Sequence, residues 1–310
     1  MKTMNFICLA KIKKIMNSWT QRNSLLVMHL IVIILGLTGI LGKLIEASST
    51  ILVWYRMLIA FVALGLYLLL QKGLFKIQKG YIWKLLGVGA IVAAHWLFFF
   101  ESIKVSNVSV AVVCLATSCL FSALIEPFVF KRKISAYELV FGIVVIAALA
   151  FALQADVSYF WGYVYGVIAA FLATLFTIFN ALYINKVEAS KITLIEMLGG
   201  WLAISLYIGF FTNTSFSDFS ISQQDTIYLL ALAIVCTAFA FVVSVEVMKT
   251  LSPYSVIMAV NLEPIYSIVL ALILFGESEE MKFSFYIGGS VIILTVFLDG
   301  YFKTKKKAIK

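Results

Sequence analysis

Five polar residues interrupt long apolar runs in this 310-residue chain: Arg56, His95, Asn180, Asn261 and Glu263. An ionisable side chain at the centre of a bilayer-spanning helix costs roughly 2.5–3.5 kcal/mol on insertion scales, so it normally faces protein or a wet cavity. Glu263 is the sharpest case, lying mid-run beside Pro264 with Asn261 half a turn away. Pro264 has no N–H to return to the carbonyl of Val260 and its ring crowds that carbonyl, which predicts a helix break. Carriers place binding groups at helices loosened at mid-depth. Glu263 therefore reads as a substrate contact or a proton site; the competing reading is a structural carboxylate satisfied by a neighbouring helix.

His95 lies mid-run and is followed by Trp96. Its imidazole could bind a solute, exchange a proton or donate to Glu263, and a plain interhelical hydrogen bond would explain it equally well. Arg56 sits about 9 Å in from the end of its run at 1.5 Å per residue. It keeps its charge, so it needs an anion (Glu101, Glu263 or a solute) or a route for its head group to snorkel to the surface. Asn180 could line a cavity or bridge helices, and His29 is expected to face inward. Glu126, Glu196 and Glu246 lie near run ends, where pairing with Lys131, Lys191 and Lys249 is the ordinary expectation. Glu277 should tie a helix end.

The elements that hold these residues follow from composition. Hydrophobic residues make up 63% of the chain and charged ones 13%, against roughly 45–50% and 25% in soluble domains. That excludes a water-soluble enzyme and a disordered regulator. Ten runs are long enough to cross about 30 Å of hydrocarbon: 24–44, 50–70, 82–103, 106–130, 136–154, 160–184, 192–211, 226–248, 254–275 and 283–302. They do not alternate, and lipid offers backbone groups no partners, so helices rather than strands are predicted.

The net charge of +9 sits in short segments between runs, a pattern that orients a membrane protein and does not suggest a nucleic-acid surface. With the N-terminus inside, all of the 24 Lys and Arg residues except Lys43, Arg56, Lys104 and Lys282 fall on the cytoplasmic side. Both termini are then cytoplasmic, and the acidic stretch Glu277–Glu280 lies outside. The stretch Asn5–Ala10 is too short for the core of a secretory signal. Cys8, Cys114, Cys119 and Cys236 form no CxxC pair; the last three lie in apolar runs as small packing residues.

A faint repeat is also present. Sliding residues 106–151 forward by 146 superposes Ser106 on Ser252, Ser109 on Ser255, Val110 on Val256 and Leu124 on Leu270. It also superposes Gly142 on Gly288, Val145 on Val291, Ile146 on Ile292 and Phe151 on Phe297. Five spans per half is an odd number, which inserts the halves upside down relative to each other, as in many alternating-access carriers. Gly36, Gly39 and Gly42, and Gly162, Gly166 and Ala170, form small-residue ridges suited to close helix approach. Trp54, Tyr55, Trp96, Phe98, Phe99, Phe100, Phe160, Trp161 and Tyr163 read mainly as an interfacial belt; any that face inward would suit apolar or cationic cargo.

On these residues the chain resembles the drug/metabolite transporter superfamily, specifically its ten-helix EamA type. Asn261-Leu262-Glu263-Pro264-Ile265 running to Leu274-Phe275-Gly276-Glu277 is similar to the family's mid-helix proline followed by an apolar run and Gly-Glu. Trp54-Tyr55-Arg56 is similar to its aromatic-then-Arg signature, and Met248-Lys249 with Ser252 to its turn before the ninth span. The fourth span departs from the pattern: the proline expected near Ser118 is missing, and Lys131 stands where Glu is common. The resemblance implies transport of small metabolites, amino acids or drugs, commonly by export and often with proton exchange.

No GxxxxGK[ST], HExxH or GxSxG motif occurs, so neither an ATP-driven pump nor a metal or nucleophile enzyme is expected, and no cofactor. The sequence thus predicts an all-α membrane protein of ten transmembrane helices, arranged as two inverted five-helix repeats. Residues 24–154 and 160–302 form the repeats, between a basic segment 1–23 and a basic tail 303–310. The expected function is a secondary transporter in the cytoplasmic membrane that moves a small-molecule substrate, with coupling to protons as a further expectation. Glu263, Asn261, His95, Arg56 and Asn180 would line its cavity, with Pro264 as the helix break. The alternatives are an intramembrane enzyme acting on a lipid-linked substrate, and a non-transporting scaffold or receptor.

Overall fold

The computed structural model describes residues 21–71, 79–154, 157–276 and 282–308. The basic segment through residue 20, the acidic stretch 277–280 and the side chain of Pro264 lie outside the described residues, as do the side chains of the 303–308 tail. Every regular element described is helical. The first half comprises α1 (Gln21–Leu44), α2 (Ser49–Leu70), α3 (Lys79–Val105), α4 (Val108–Leu115), α5 (Ser118–Phe130) and α6 (Ala136–Gln154). The second comprises α7 (Phe160–Tyr183), α8 (Ala189–Phe211), α9 (Gln223–Ala233), a π-helix (Ile234–Phe239), α10 (Ala240–Glu246), α11 (Pro253–Val260), α12 (Glu263–Phe275) and α13 (Phe283–Ala308). Among the described residues, eight stretches are long and apolar enough to cross a bilayer, and α6 and α13 contribute two shorter apolar segments.

Two of the crossings are broken in the middle. Between α4 and α5 the backbone tightens: Thr117 N–H donates to the Cys114 carbonyl at 3.0 Å and Cys119 N–H to that of Ala116 at 3.2 Å. The Thr117 hydroxyl also donates to the Cys114 carbonyl at 2.7 Å, competing with the helical ladder. Between α11 and α12, Leu262 N–H donates to the Ala259 carbonyl and Ile265 N–H to that of Leu262, both at 3.1 Å. Pro264 lies in the first turn of α12, where its missing N–H costs least. The fourth crossing thus breaks without the expected proline; a threonine hydroxyl takes its place.

The breaks abut each other. Ser118 Oγ donates to Asn261 Oδ1 at 3.4 Å, and Asn261 Nδ2 donates to Cys119 Sγ. Around them, α4 packs on α7 and α12, and α12 also packs on α1. Away from this centre, α6 and α13 pack against each other.

Small residues allow the tight contacts. The glycine ridge of α1 lies against α12, α4 and α3: a Cβ at Gly36 would come 3.1 Å from Tyr266 Cβ, and one at Gly39 would come 2.9 Å from Val108 Cγ1. Gly166 of α7 likewise meets Cys114. A third approach, between α3 and α8, brings Gly89 onto the backbone of Glu196 and Gly199 onto that of Leu86. Replacing Gly199 with Val should therefore lower the apparent Tm of the purified protein sharply, because the backbone it meets cannot move aside. Gly209→Ala, which meets nothing within 4 Å, should leave Tm unchanged. Equal Tm values for the two variants would contradict the packing described.

Candidate functional site

A cavity of ≈ 120 Å³ lies between the two halves. Its walls come from α1 (Leu35, Thr38), α2 (Arg56), α3 (His95, Trp96, Phe99), the first break (Leu115, Ser118) and α7 (Phe176, Thr177). The π-helix (Cys236), α10 (Phe241, Ser244) and the segment from α11 into α12 (Val256, Val260, Glu263) complete it. The structure thus brings Arg56, His95 and Glu263, separate in sequence, around one space.

Arg56 is 1% exposed, so it does not snorkel: α2 is covered on that side by α3 and the π-helix. Its guanidinium stacks 3.7 Å from the ring centroid of Trp96, a cation–π contact that compensates part of the lost hydration. Its Nε donates to Thr237 Oγ1 at 2.7 Å. The π-helix makes this possible, because the Thr237 hydroxyl donates five residues back to the Leu232 carbonyl at 2.8 Å while accepting from Arg56. Arg56 Nη1 is buried and has no hydrogen-bond partner. Among the described residues no carboxylate, Glu101 and Glu263 included, forms an ion pair with Arg56.

Glu263 is 5% exposed and begins α12. Its carboxylate borders the cavity. His95 Nδ1 lies 2.8 Å from the Ala169 carbonyl, so Nδ1 carries the donor hydrogen and the neutral ring leaves Nε2 as an acceptor. The ring stacks on Phe99 with 6.2 Å between centroids and meets Phe176 edge-on at 5.3 Å.

Two expected wall residues lie elsewhere. Asn261 is outside the lining because both ends of its amide are engaged across the helix breaks, to Ser118 and Cys119. Asn180 is buried one turn beyond Thr177 and donates to Glu196 Oε2 at 3.5 Å. Glu196 does not pair with Lys191, which instead meets Glu188 at 3.3 Å. Glu126 pairs with Arg132 at 3.3 Å rather than Lys131, whose backbone turns left-handed at φ 52° to end α5. Glu246 does pair with Lys249, at 2.5 Å. His29 is exposed, not inward-facing. Trp96 and Phe99 line the cavity rather than an interfacial belt, whereas Phe160 and Trp161 are exposed.

Apolar membrane-length helices surround one small, largely apolar cavity bordered by a few polar side chains, an arrangement suited to a membrane transporter. The chain belongs to the EamA-like transporter family, whose profile matches twice, at residues 22–154 and 160–299, consistent with the drug/metabolite transporter superfamily. It is similar to an uncharacterized transporter of Archaeoglobus fulgidus, with 25% identity over 256 residues, 80% of this chain and 86% of that one. It is also similar to the uncharacterized transporter YxxF of Bacillus subtilis, with 23% identity over 272 residues, 86% of each chain. One crystal structure shares the fold with a TM-score of 0.64 at 15% identity, covering 88% of this chain and 95% of that one.

The Arg56–Thr237 bond gives a direct test of the site's construction. Thr237→Val leaves a buried charged donor unpartnered, which should cost roughly 1–3 kcal/mol and lower the apparent Tm in detergent. Thr237→Ser keeps the hydroxyl and should hold Tm near that of the unaltered protein. A Val variant as stable as the Ser variant would contradict the described bond.

Proposed function

We propose that the chain is a secondary active carrier that moves a small-molecule substrate by alternating access, and that it couples export to proton exchange. It sits in the cytoplasmic (inner) membrane as ten crossings with both termini inside, residues 24–154 and 160–302 being two five-helix repeats of opposite orientation. The observation that carries this reading is the meeting of Arg56, His95 and Glu263, drawn from both halves, in one cavity bordered by both helix breaks. The double family match and the breaks at 116–117 and 261–262, one position off the sequence repeat, support the two-repeat arrangement. The pairing of α6 with α13, the last helix of each half, supports it as well.

Alternating access needs closures at both ends that can release in turn. Two polar ties suit that role. At one end, buried Asp225 accepts from the N–H groups of Glu46 and Ala47 at 3.1 and 3.3 Å, joining the α1–α2 turn to α9. At the other, Glu126 accepts from Tyr254 N–H at 3.0 Å, joining α5 to the start of α11. Each tie crosses between the halves through one carboxylate and backbone donors, so each can open without unfolding a helix.

Glu263 is the coupling group in this reading, with Arg56, His95 and Cys236 the other titratable groups facing the same space. Efflux substrates would be found by comparing metabolites inside and outside cells with and without the protein, then measured in liposomes. Glu263→Gln should abolish acceleration of flux by a pH gradient while solute exchange at equal pH persists; undiminished proton-driven flux would remove Glu263 from the mechanism.

Cys236 reports on the ties. In a background carrying Cys8→Ser, Cys114→Ser and Cys119→Ser, Asp225→Ala should expose Cys236 to a membrane-impermeant maleimide from outside. Glu126→Ala should expose it from inside. Identical labelling of both variants from both sides would contradict the paired closures.

A further inference from the structure

We infer that Glu196 is a second proton site, a carboxylic acid that takes protons from the cavity and releases them at the cytoplasmic end of α7 and α8. This rests on the proton-coupled carrier reading and adds the group through which the proton leaves. Glu196 and Asn180 are both wholly buried, where α3 and α8 meet backbone to backbone through Gly89. Among the described residues the one donor to this carboxyl group is Asn180 Nδ2, 3.5 Å from Oε2. Glu196 Oε1 and Asn180 Oδ1 have no hydrogen-bond partner.

An ionised carboxylate there would be a buried charge with no counter-charge. Helix α8 packs on α2, α3 and α10, and none of their charged or titratable groups bonds to Glu196. On α8 itself Lys191 meets Glu188, and Glu246 of α10 meets Lys249. On α2, Arg56 is held by Trp96 and Thr237, and Tyr67 lies near the far end beside Glu188. On α3, His95 is held by the Ala169 carbonyl, Tyr81 packs on Tyr183, and Lys84 lies over the Tyr81 ring. The bare atoms instead fit a proton. A carboxylic acid and a carboxamide pair face to face through two bonds, amide N–H to acid carbonyl and acid O–H to amide oxygen. The first is the contact present; the second would join the two bare oxygens and lacks only its hydrogen. A hard metal cation asks for about six oxygens, and no metal-binding cluster of His, Cys, Asp and Glu occurs among the described residues.

Position makes the acid a relay. Thr177 and Glu263 border the cavity, and Asn180 lies one turn beyond Thr177 on the same face of α7. Glu196 lies about 10 Å along α8 from its start at Ala189. The polar line therefore runs from the cavity wall towards the α7–α8 turn. The step moves one proton only: the O–H bond of Glu196 breaks towards cytoplasmic water, leaving a carboxylate, and a proton from the cavity restores the acid.

The test is infrared difference spectroscopy on the full-length chain in liposomes at neutral pH, with Glu263→Gln as background to silence the cavity acid. That variant should show a carboxylic-acid C=O band that shifts in D2O. Adding Glu196→Gln should remove the band, and adding Asn180→Leu should move it without removing it. Identical spectra with and without Glu196→Gln would overturn the inference. So would a band present in potassium chloride and erased in sodium chloride, which would give the site to a metal cation. If the Glu196→Gln chain does not fold, Asn180→Leu decides, an unmoved band counting against the inference. In transport, Glu196→Gln should lower efflux driven by a pH gradient about tenfold or more relative to exchange at equal pH, and raise the H2O/D2O rate ratio. Equal loss of both fluxes with an unchanged ratio would mark a structural role and overturn it. A missing band with intact proton-driven flux would refute the Glu196 site and leave the carrier; the band with no flux of any solute would refute the carrier and leave the buried acid.

Discussion

A guanidinium cannot discharge itself to suit an apolar surrounding, and the arrangement around Arg56 follows from that constraint. Trp96 supplies a π face from α3, and Thr237 supplies an oxygen from the second half of the chain. The local π-helix lets that hydroxyl serve Leu232 and Arg56 at once. The π turn through Ile234–Phe239 sets Thr237 against Arg56 and Cys236 at the cavity wall. One demanding side chain thus organises contacts among α2, α3 and the segment from α9 to α10.

The two helix breaks answer a related constraint, that backbone N–H and C=O groups inside a membrane must be satisfied by protein or a cavity. Each break shortens its bonds to three-residue spacing instead of leaving them open. The amide of Asn261 then bridges one break to the other through Ser118 and Cys119. The glycines of α1 and α7 let α4 and α12 come close enough for this crossing.

Most of the fold was legible in the sequence, because helices in lipid announce themselves by length and apolarity. Arg56, His95 and Glu263 were legible as buried polar residues for the same reason, a charge or imidazole inside an apolar run needing a cause, and all three border the cavity. Their partners were not. Thr237 sits in Ile-Val-Cys-Thr-Ala-Phe, where a threonine is unremarkable and nothing marks an inserted π turn. The break at Thr117 carries no proline, and the hydroxyl that competes there for the Cys114 carbonyl is not a marked breaker in the sequence. Asn261 and Asn180 were expected at the cavity wall, yet sequence does not say which buried surface a side chain meets. Trp96 and Phe99 look the same as belt residues until the rotation of α3 is known. Glu196 and Glu126 found Asn180 and Arg132 because distance along the chain is a poor guide to which cation or amide a helix end meets.

An arginine and a carboxylic acid bordering a single small chamber are useful to a carrier only if the chamber's two mouths open in turn around them. Pulsed electron–electron resonance on spin-labelled, otherwise cysteine-free protein measures this directly, with one label pair at Ser48 and Gln224 and another at Lys133 and Ser252, all exposed positions. The account predicts two populations in liposomes: in one, the first pair lengthens while the second stays short, and in the other the reverse. Distances at both ends that stay fixed under every pH and solute condition, or that lengthen together, would contradict it.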